Sequence, residues 1–65
     1  MHLIIEIAEG RGVYSRANYT GTVAGASIEA QRKARRASDE THAGVAWFVF
    51  QGVNVVAQGR AEAKA

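Results

Sequence analysis

The stretch that decides the fold is residues 45–50, Val-Ala-Trp-Phe-Val-Phe, in which every side chain is apolar. Successive side chains of a β-strand point to opposite faces of a sheet, so Trp47 lies on one face and Phe48 and Phe50 lie on the other. The apolar side chains on both faces of this strand must therefore be buried against other groups. A chain of 65 residues has too few elements to cover both, so we expect one face to meet another molecule or a second copy of the chain.

The residues at the start of the chain predict a β-hairpin. Leu3, Ile5 and Ile7 recur at every second position of residues 2–8, which is typical of a half-buried strand. Two glycines within residues 9–12 can supply the positive φ that a tight reversal needs. The alternation then resumes over residues 13–20, which predicts a second strand that returns beside the first.

A helix is predicted between the hairpin and the aromatic strand. The segment from Ile28 to about His42 contains neither glycine nor proline and is rich in alanine and arginine. We expect Ser27 to cap its start, Gly44 to cap its end, and residues 21–27 to form a loop that leads into it. Its small side chains recur at helical spacing and contribute little apolar area, so the sheet must supply most of the core.

The segment after the aromatic strand completes the predicted architecture. Residues 50–53 can turn tightly, and residues 53–57 alternate as a return strand. The order ββαββ predicts an α+β fold, a four-stranded antiparallel sheet made from two hairpins with one helix packed on one face. We expect a single domain over residues 1–58 and a frayed tail over residues 59–65. The pattern leaves open whether Trp47 or the two phenylalanines face the helix.

Composition narrows the classes of function. The formal net charge is only +2, and the chain has no cysteine, which removes disulfides, thiolate metal sites and cysteine nucleophiles. No apolar run approaches the roughly 18 residues of a membrane span, and no basic leader precedes residues 3–7. We therefore expect a cytoplasmic protein without a membrane partner. No spacing of side chains suits catalysis or metal binding, so we expect no enzyme activity, cofactor or metal site.

The basic residues are concentrated in the predicted helix. Four of the eight lie within five positions, and these are Arg32, Lys33, Arg35 and Arg36. Close-set cations on a helix can bind the phosphates of a nucleic acid. Acidic residues four positions after Arg35 and Arg36 could equally neutralise them, which would leave a solvated face.

Aromatic and cationic residues of the sheet add to the candidate partner-binding set. They are Tyr14 and Arg16 of the second predicted strand and Phe48 and Phe50 of the aromatic strand. Aromatic rings on a small sheet can stack on bases, but the aromatic pattern of RNA-recognition strands is missing here. We therefore predict that these residues bind a larger protein or a nucleoprotein complex.

These observations favour a small, non-enzymatic protein-interaction module. In size and in its lack of catalytic motifs the chain resembles phage or mobile-element accessory proteins that bind and block a host complex, such as anti-CRISPR proteins. The resemblance is one of format alone, and it implies an inhibitor. Two alternatives remain open: a nucleic-acid-binding protein that uses the basic helix, and a structural subunit that forms a homodimer or larger homo-oligomer.

Overall fold

The computed structural model describes residues 2–10 and 12–63. Its elements are β1 (His2–Glu9), β2 (Gly12–Thr20), α1 (Val23–Thr41), β3 (Val45–Gln51) and β4 (Asn54–Ala61). The strands form one antiparallel sheet in the order β2-β1-β3-β4, and α1 packs on one of its faces. The predicted ββαββ fold is confirmed. No helix within the described residues is long and apolar enough to cross a membrane.

The register of β1 against β3 settles which side of the aromatic strand forms the core. Ile7 pairs with Trp47 and Ile5 pairs with Val49, and all four side chains are buried beneath α1. Trp47 is only 6% exposed, so its ring is a core side chain. Strand alternation then places Phe48 on the opposite face, away from the helix.

The core combines large sheet residues with small helix residues. Its buried hydrophobic members are Leu3, Ile5, Ile7, Val45, Trp47 and Val49 from the sheet and Ala26, Ala30, Ala34 and Ala37 from α1. The prediction of a mainly alanine helix face is thus confirmed. Alanines let the helix axis approach the sheet closely, while the sheet contributes most of the apolar area.

The helix begins earlier than the sequence predicted. Its N-cap is Thr22, whose hydroxyl accepts a hydrogen bond from the backbone N–H of Gly25 at 3.0 Å, and not Ser27. Most of the predicted loop is therefore the first turn and a half of α1. A Cβ at Gly25 would lie 2.6 Å from the Tyr19 hydroxyl, so glycine allows this turn to pack against β2.

The end of the helix also differs from the prediction. His42 adopts the left-handed conformation with φ 57°, and its N–H donates to the Ser38 carbonyl at 2.9 Å. The cap is therefore His42, two positions before the predicted Gly44. The buried Ser38 hydroxyl donates to the Ala43 carbonyl at 2.7 Å, which satisfies a carbonyl just beyond the helix.

The last strand is longer than predicted. A two-residue turn joins Gln51 to its partner Asn54, and β4 continues to Ala61, which pairs with Val45. Residues 59–61, assigned to the tail by sequence, therefore belong to the sheet. Residues 64–65 of that tail lie outside the described residues.

The helix lies off the centre of the sheet. Its backbone lies closest to β3 and next to β4 and β1, while β2 reaches it through long side chains, Tyr19 near the start of α1 and Tyr14 near its end. This offset opens a groove between α1 and β2 and brings the other flank of the helix close to β4.

Candidate interaction surface

The face of the sheet opposite α1, called the open face below, carries aligned side chains from all four strands. Ile4 of β1, Phe50 of β3 and Val55 of β4 are paired in register and form one row across the sheet. Phe48 lies in the next row, two residues along β3. We call these four residues the apolar patch.

The aromatic side chains of the apolar patch lie side by side. The ring centroids of Phe48 and Phe50 are 6.3 Å apart and the ring planes are inclined by 39°. Both rings are half-buried by their strand neighbours, and Val55 is 48% exposed. Aromatic rings within this distance attract one another and present a stiff apolar surface. The patch is thus preorganised, with few rotamers left to immobilise when a partner binds.

Polar residues surround the apolar patch. Register and strand alternation place Arg16 and Asn18 of β2 on one side and Gln58 and Arg60 of β4 on the other. An apolar centre with a polar and arginine-bearing rim is the usual anatomy of a protein interface.

One acidic residue lies beside the patch. Glu6 of β1 is paired with Phe48 and its side chain is only 18% exposed, while Arg16 approaches it at 3.9 Å. The Arg16 side chain is 61% exposed and can move away from Glu6 at small cost, since exposed ion pairs of this length contribute little. Movement of Arg16 would expose more of the Glu6 carboxylate to a donor on a partner.

The structure divides the basic residues of the helix between its two flanks. Arg35 lies on the flank near β4, where its Nη2 donates to the Ser38 hydroxyl at 3.2 Å, to Asp39 at 3.1 Å and to the Glu62 carbonyl at 2.8 Å. These bonds hold the Arg35 side chain against the residues that directly follow β4. Arg35 is consequently a structural side chain that ties α1 to the chain beyond β4.

The other cations of the cluster lie on the flank of the helix near β2 or on the side of the helix that faces away from the sheet. Arg36 approaches Glu40 at 3.6 Å, and Arg36 and Lys33 line the groove between α1 and β2. Arg32 and Lys33 line a neighbouring shallow cavity of about 200 Å³. Within the described residues neither Arg32 nor Lys33 forms an ion pair with an acidic side chain.

Tyr14 joins this groove instead of the open face. A β-bulge between Ile7 and Ala8 leaves it as the extra residue of β2, and its hydroxyl donates to Glu40 at 3.0 Å. The hydrogen bond to the Glu40 carboxylate, with its negative charge, raises the pKa of Tyr14 above 10.0. The groove has a volume of about 260 Å³.

The eight predicted partner-binding residues therefore form three separate groups. Phe48, Phe50 and Arg16 come together on the open face, Tyr14 comes together with Lys33 and Arg36, and Arg35 lies alone near β4. Arg32 is exposed and belongs to the second group, because it lines a shallow cavity together with Lys33 and Arg36.

Two members of the apolar patch were not among the predicted site residues. Ile4 and Val55 join the patch only through the pairing of β1 and β4 with β3, and this pairing has no signal in local sequence. Val55 in particular depends on a bulge next to Val49, which shifts the register of β4 by one residue.

Comparisons with known proteins identify no relative of this chain: no family model matches it, and neither a curated protein nor a solved structure shows significant similarity. The described residues also contain no group of three histidine, aspartate or glutamate side chains that could hold a metal ion.

Proposed function

We propose that this protein is a non-enzymatic interaction module that binds a larger protein through its open face. The observation that carries the proposal is the row of Ile4, Phe50 and Val55 beside Phe48, apolar side chains in register on a face that α1 does not cover. Apolar patches rimmed by polar residues mark interaction sites, because their burial releases water from apolar surface.

A module of this kind acts by occupying a surface. Its apolar patch is flat and lies on sheet strands, so it can cover part of a partner but cannot enclose a small substrate. Binding that blocks the partner's own contacts, as an inhibitor does, is the mode of action that this shape suits best. The residues that we assign to binding are Phe48 and Phe50 at the centre, with Arg16 and Glu6 for polar contacts.

The basic helix is the weaker candidate surface. Arg35 is held by three intramolecular hydrogen bonds and Arg36 lies beside Glu40, so the cluster offers fewer free cations than its sequence implies. Nucleic-acid affinity depends on the number of phosphates that are neutralised. Arg32 and Lys33, the two cations of the cluster that form no ion pair within the described residues, favour a modest electrostatic contribution over a primary binding site.

Site-specific photo-crosslinking tests the proposal in the cells that produce the protein. Phe50→p-benzoylphenylalanine should crosslink to one larger protein, and Lys33→p-benzoylphenylalanine, on the opposite side of the sheet, should not. The purified crosslinked protein then serves in calorimetry with the double variant Phe48→Thr/Phe50→Thr. Threonine retains strand propensity, and loss of two central aromatic contacts should weaken binding by roughly 30-fold or more.

The matched control is the helix variant Arg32→Glu/Lys33→Glu, which reverses two exposed charges and should change affinity little. Circular dichroism must show that both double variants remain folded. If the helix variant abolishes binding and the sheet variant does not, the proposal is wrong. A crosslink from Lys33 to nucleic acid, combined with loss of that contact at high salt, would instead support the basic helix.

A further inference from the structure

The outer side of β4 is a free sheet edge. In the order β2-β1-β3-β4, the strand β4 pairs with β3 on one side, and within the described residues no strand lies on its other side. Such an edge presents a row of backbone N–H and C=O groups that another strand can bind. Proteins usually protect edges with proline, lysine or several charges, whereas β4 has a single charged residue, Arg60.

The two edges of the sheet differ in charge. Near β4, Arg35 is paired with Asp39 at 3.1 Å and Arg60 with Glu62 at 3.0 Å, so the charges around this edge are balanced. At the β2 edge Arg16 approaches Glu6 at 3.9 Å and Arg36 approaches Glu40 at 3.6 Å, but Lys33, which forms no ion pair within the described residues, also lines the groove above the strand. Two copies can therefore approach through β4 with these charges paired, while an approach through β2 adds the unpaired charge of Lys33 from each copy.

The sequence of β4 is complementary to itself in one antiparallel register. Beyond the bulge at Val56, the strand runs regularly from Ala57 to Ala61. With a two-fold axis at Gly59, Gln58 of each copy lies opposite Arg60 of the other copy, and Ala57 lies opposite Ala61. The Gln58 carbonyl oxygen can accept from the guanidinium, and no like charges are opposed. Because both copies use the same strand, the contact closes as a dimer.

A cavity at this edge supports the same contact. It has a volume of about 440 Å³ and lies between α1 and β4, lined by Gln31 and Arg35 of the helix and by Trp47 and Gly59 of the sheet. The indole ring of Trp47 lies over Gly59, so a ring that belongs to the core reaches the outermost strand. A strand added beside Gly59 would cover this side of the cavity.

We propose that β4 pairs antiparallel with β4 of a second copy about Gly59, and that the two sheets become one continuous sheet. This dimer uses the edge and leaves the open face of each copy exposed. The inference is therefore independent of the proposed function, since either contact can form without the other.

Charge changes at Gln58 test the register directly. Gln58→Lys places a cation opposite Arg60 of the second copy twice in each dimer, and Gln58→Glu places an anion there. Sedimentation across a wide dilution series should show a dimer for the natural chain, about tenfold weaker association for Gln58→Lys and stronger association for Gln58→Glu. The controls Asn18→Lys and Asn18→Glu make the same charge changes on β2 and should alter association far less.

Cysteine crosslinking gives a second measurement, since the natural chain has no cysteine. A mixture of Gln58→Cys and Arg60→Cys chains should form an intermolecular disulfide on mild oxidation. The matched mixture of Asn18→Cys and Arg16→Cys chains, at the other edge, should not. Phe48→Thr should leave the dimer intact, because that ring lies on the open face.

Three outcomes would overturn the dimer without bearing on the proposed function. They are a single-chain mass at the highest soluble concentration, a disulfide that forms as readily in the β2 mixture, and equal association of Gln58→Lys and Gln58→Glu. A dimer that Phe48→Thr dissociates would show that copies meet through the open face, which contradicts both this proposal and the proposed function. If association through β4 is not observed but the photo-crosslink from position 50 still forms, the dimer is wrong and the proposed function is unaffected.

Discussion

At the scale of single residues, Gly59 decides how closely the last strand packs on the core. A Cβ built at Gly59 would lie 2.5 to 2.7 Å from three atoms of the Trp47 indole. These atoms belong to a rigid ring that is itself buried, so the ring cannot rotate away as a flexible side chain could. The absence of a side chain at Gly59 therefore allows β4 to pair along its full length.

We expect Gly59→Ala to destabilise the fold by about 1–3 kcal/mol, the usual cost of overpacking. Urea unfolding followed by circular dichroism, at a concentration low enough to suppress association, measures this change. Gly10→Ala is the matched control, because nothing lies within 4 Å of its added Cβ. Equal midpoints for the two variants would show that the indole ring does not restrict Gly59.

At the scale of elements, the Tyr14 hydrogen bond is a polar link between β2 and a helix that is offset toward the other edge. The neutral Tyr14 hydroxyl donates to the Glu40 carboxylate at 3.0 Å. This bond and the negative charge of Glu40 raise the pKa of Tyr14 in the folded protein above 10.0. The link is therefore fully present below pH 10 and is lost as pH rises through the raised pKa.

Absorbance titration of tyrosinate tests this link. The Tyr14 transition, obtained as the difference between the natural chain and Tyr14→Phe, should have its midpoint above pH 10.0. Glu40→Ala should lower that midpoint, because it removes both the acceptor and the charge. Glu29→Ala, which removes an acidic side chain elsewhere on α1, should leave the midpoint nearly unchanged. A Glu40→Ala curve that superimposes on that of the natural chain would contradict the hydrogen bond.

At the scale of the whole molecule, the two faces of β3 have different roles. Trp47, Val45 and Val49 are buried under α1 and hold the domain together. Phe48 and Phe50 are half-buried and lie where no element of the described chain covers them. A small domain has little stability in excess, so substitutions on the core side of β3 should cost far more stability than substitutions on the open face.

We expect Trp47→Ala to cost about 3–5 kcal/mol, which is comparable with the whole stability of a domain of this size. Thermal unfolding should then lose its cooperative transition. Phe48→Ala should cost less and retain cooperative unfolding, because its ring is already partly in water. A Trp47→Ala chain with an unchanged midpoint would place the indole outside the core.

Local sequence determined the element types and the chain order of this protein. Alternation at Leu3, Ile5 and Ile7 predicted β1, the alanine and arginine content predicted α1, and the apolar run at residues 45–50 predicted β3. Each of these patterns lies within a single element, so it can be recognised without knowing which other element packs against it. The same logic predicted that the helix buries alanines and that one face of the sheet stays uncovered.

Only the tertiary structure decided which residues share a surface. The register of β3 against β1 put Trp47 in the core and Phe48 on the open face, and a shift of one residue would have exchanged them. Pairing with β3 also extended β4 beyond the predicted end and brought Val55 beside Phe50. The packing of α1 separated Arg35 from its neighbours. Register and helix placement depend on contacts between residues distant in the chain, whose energies no short stretch of sequence contains.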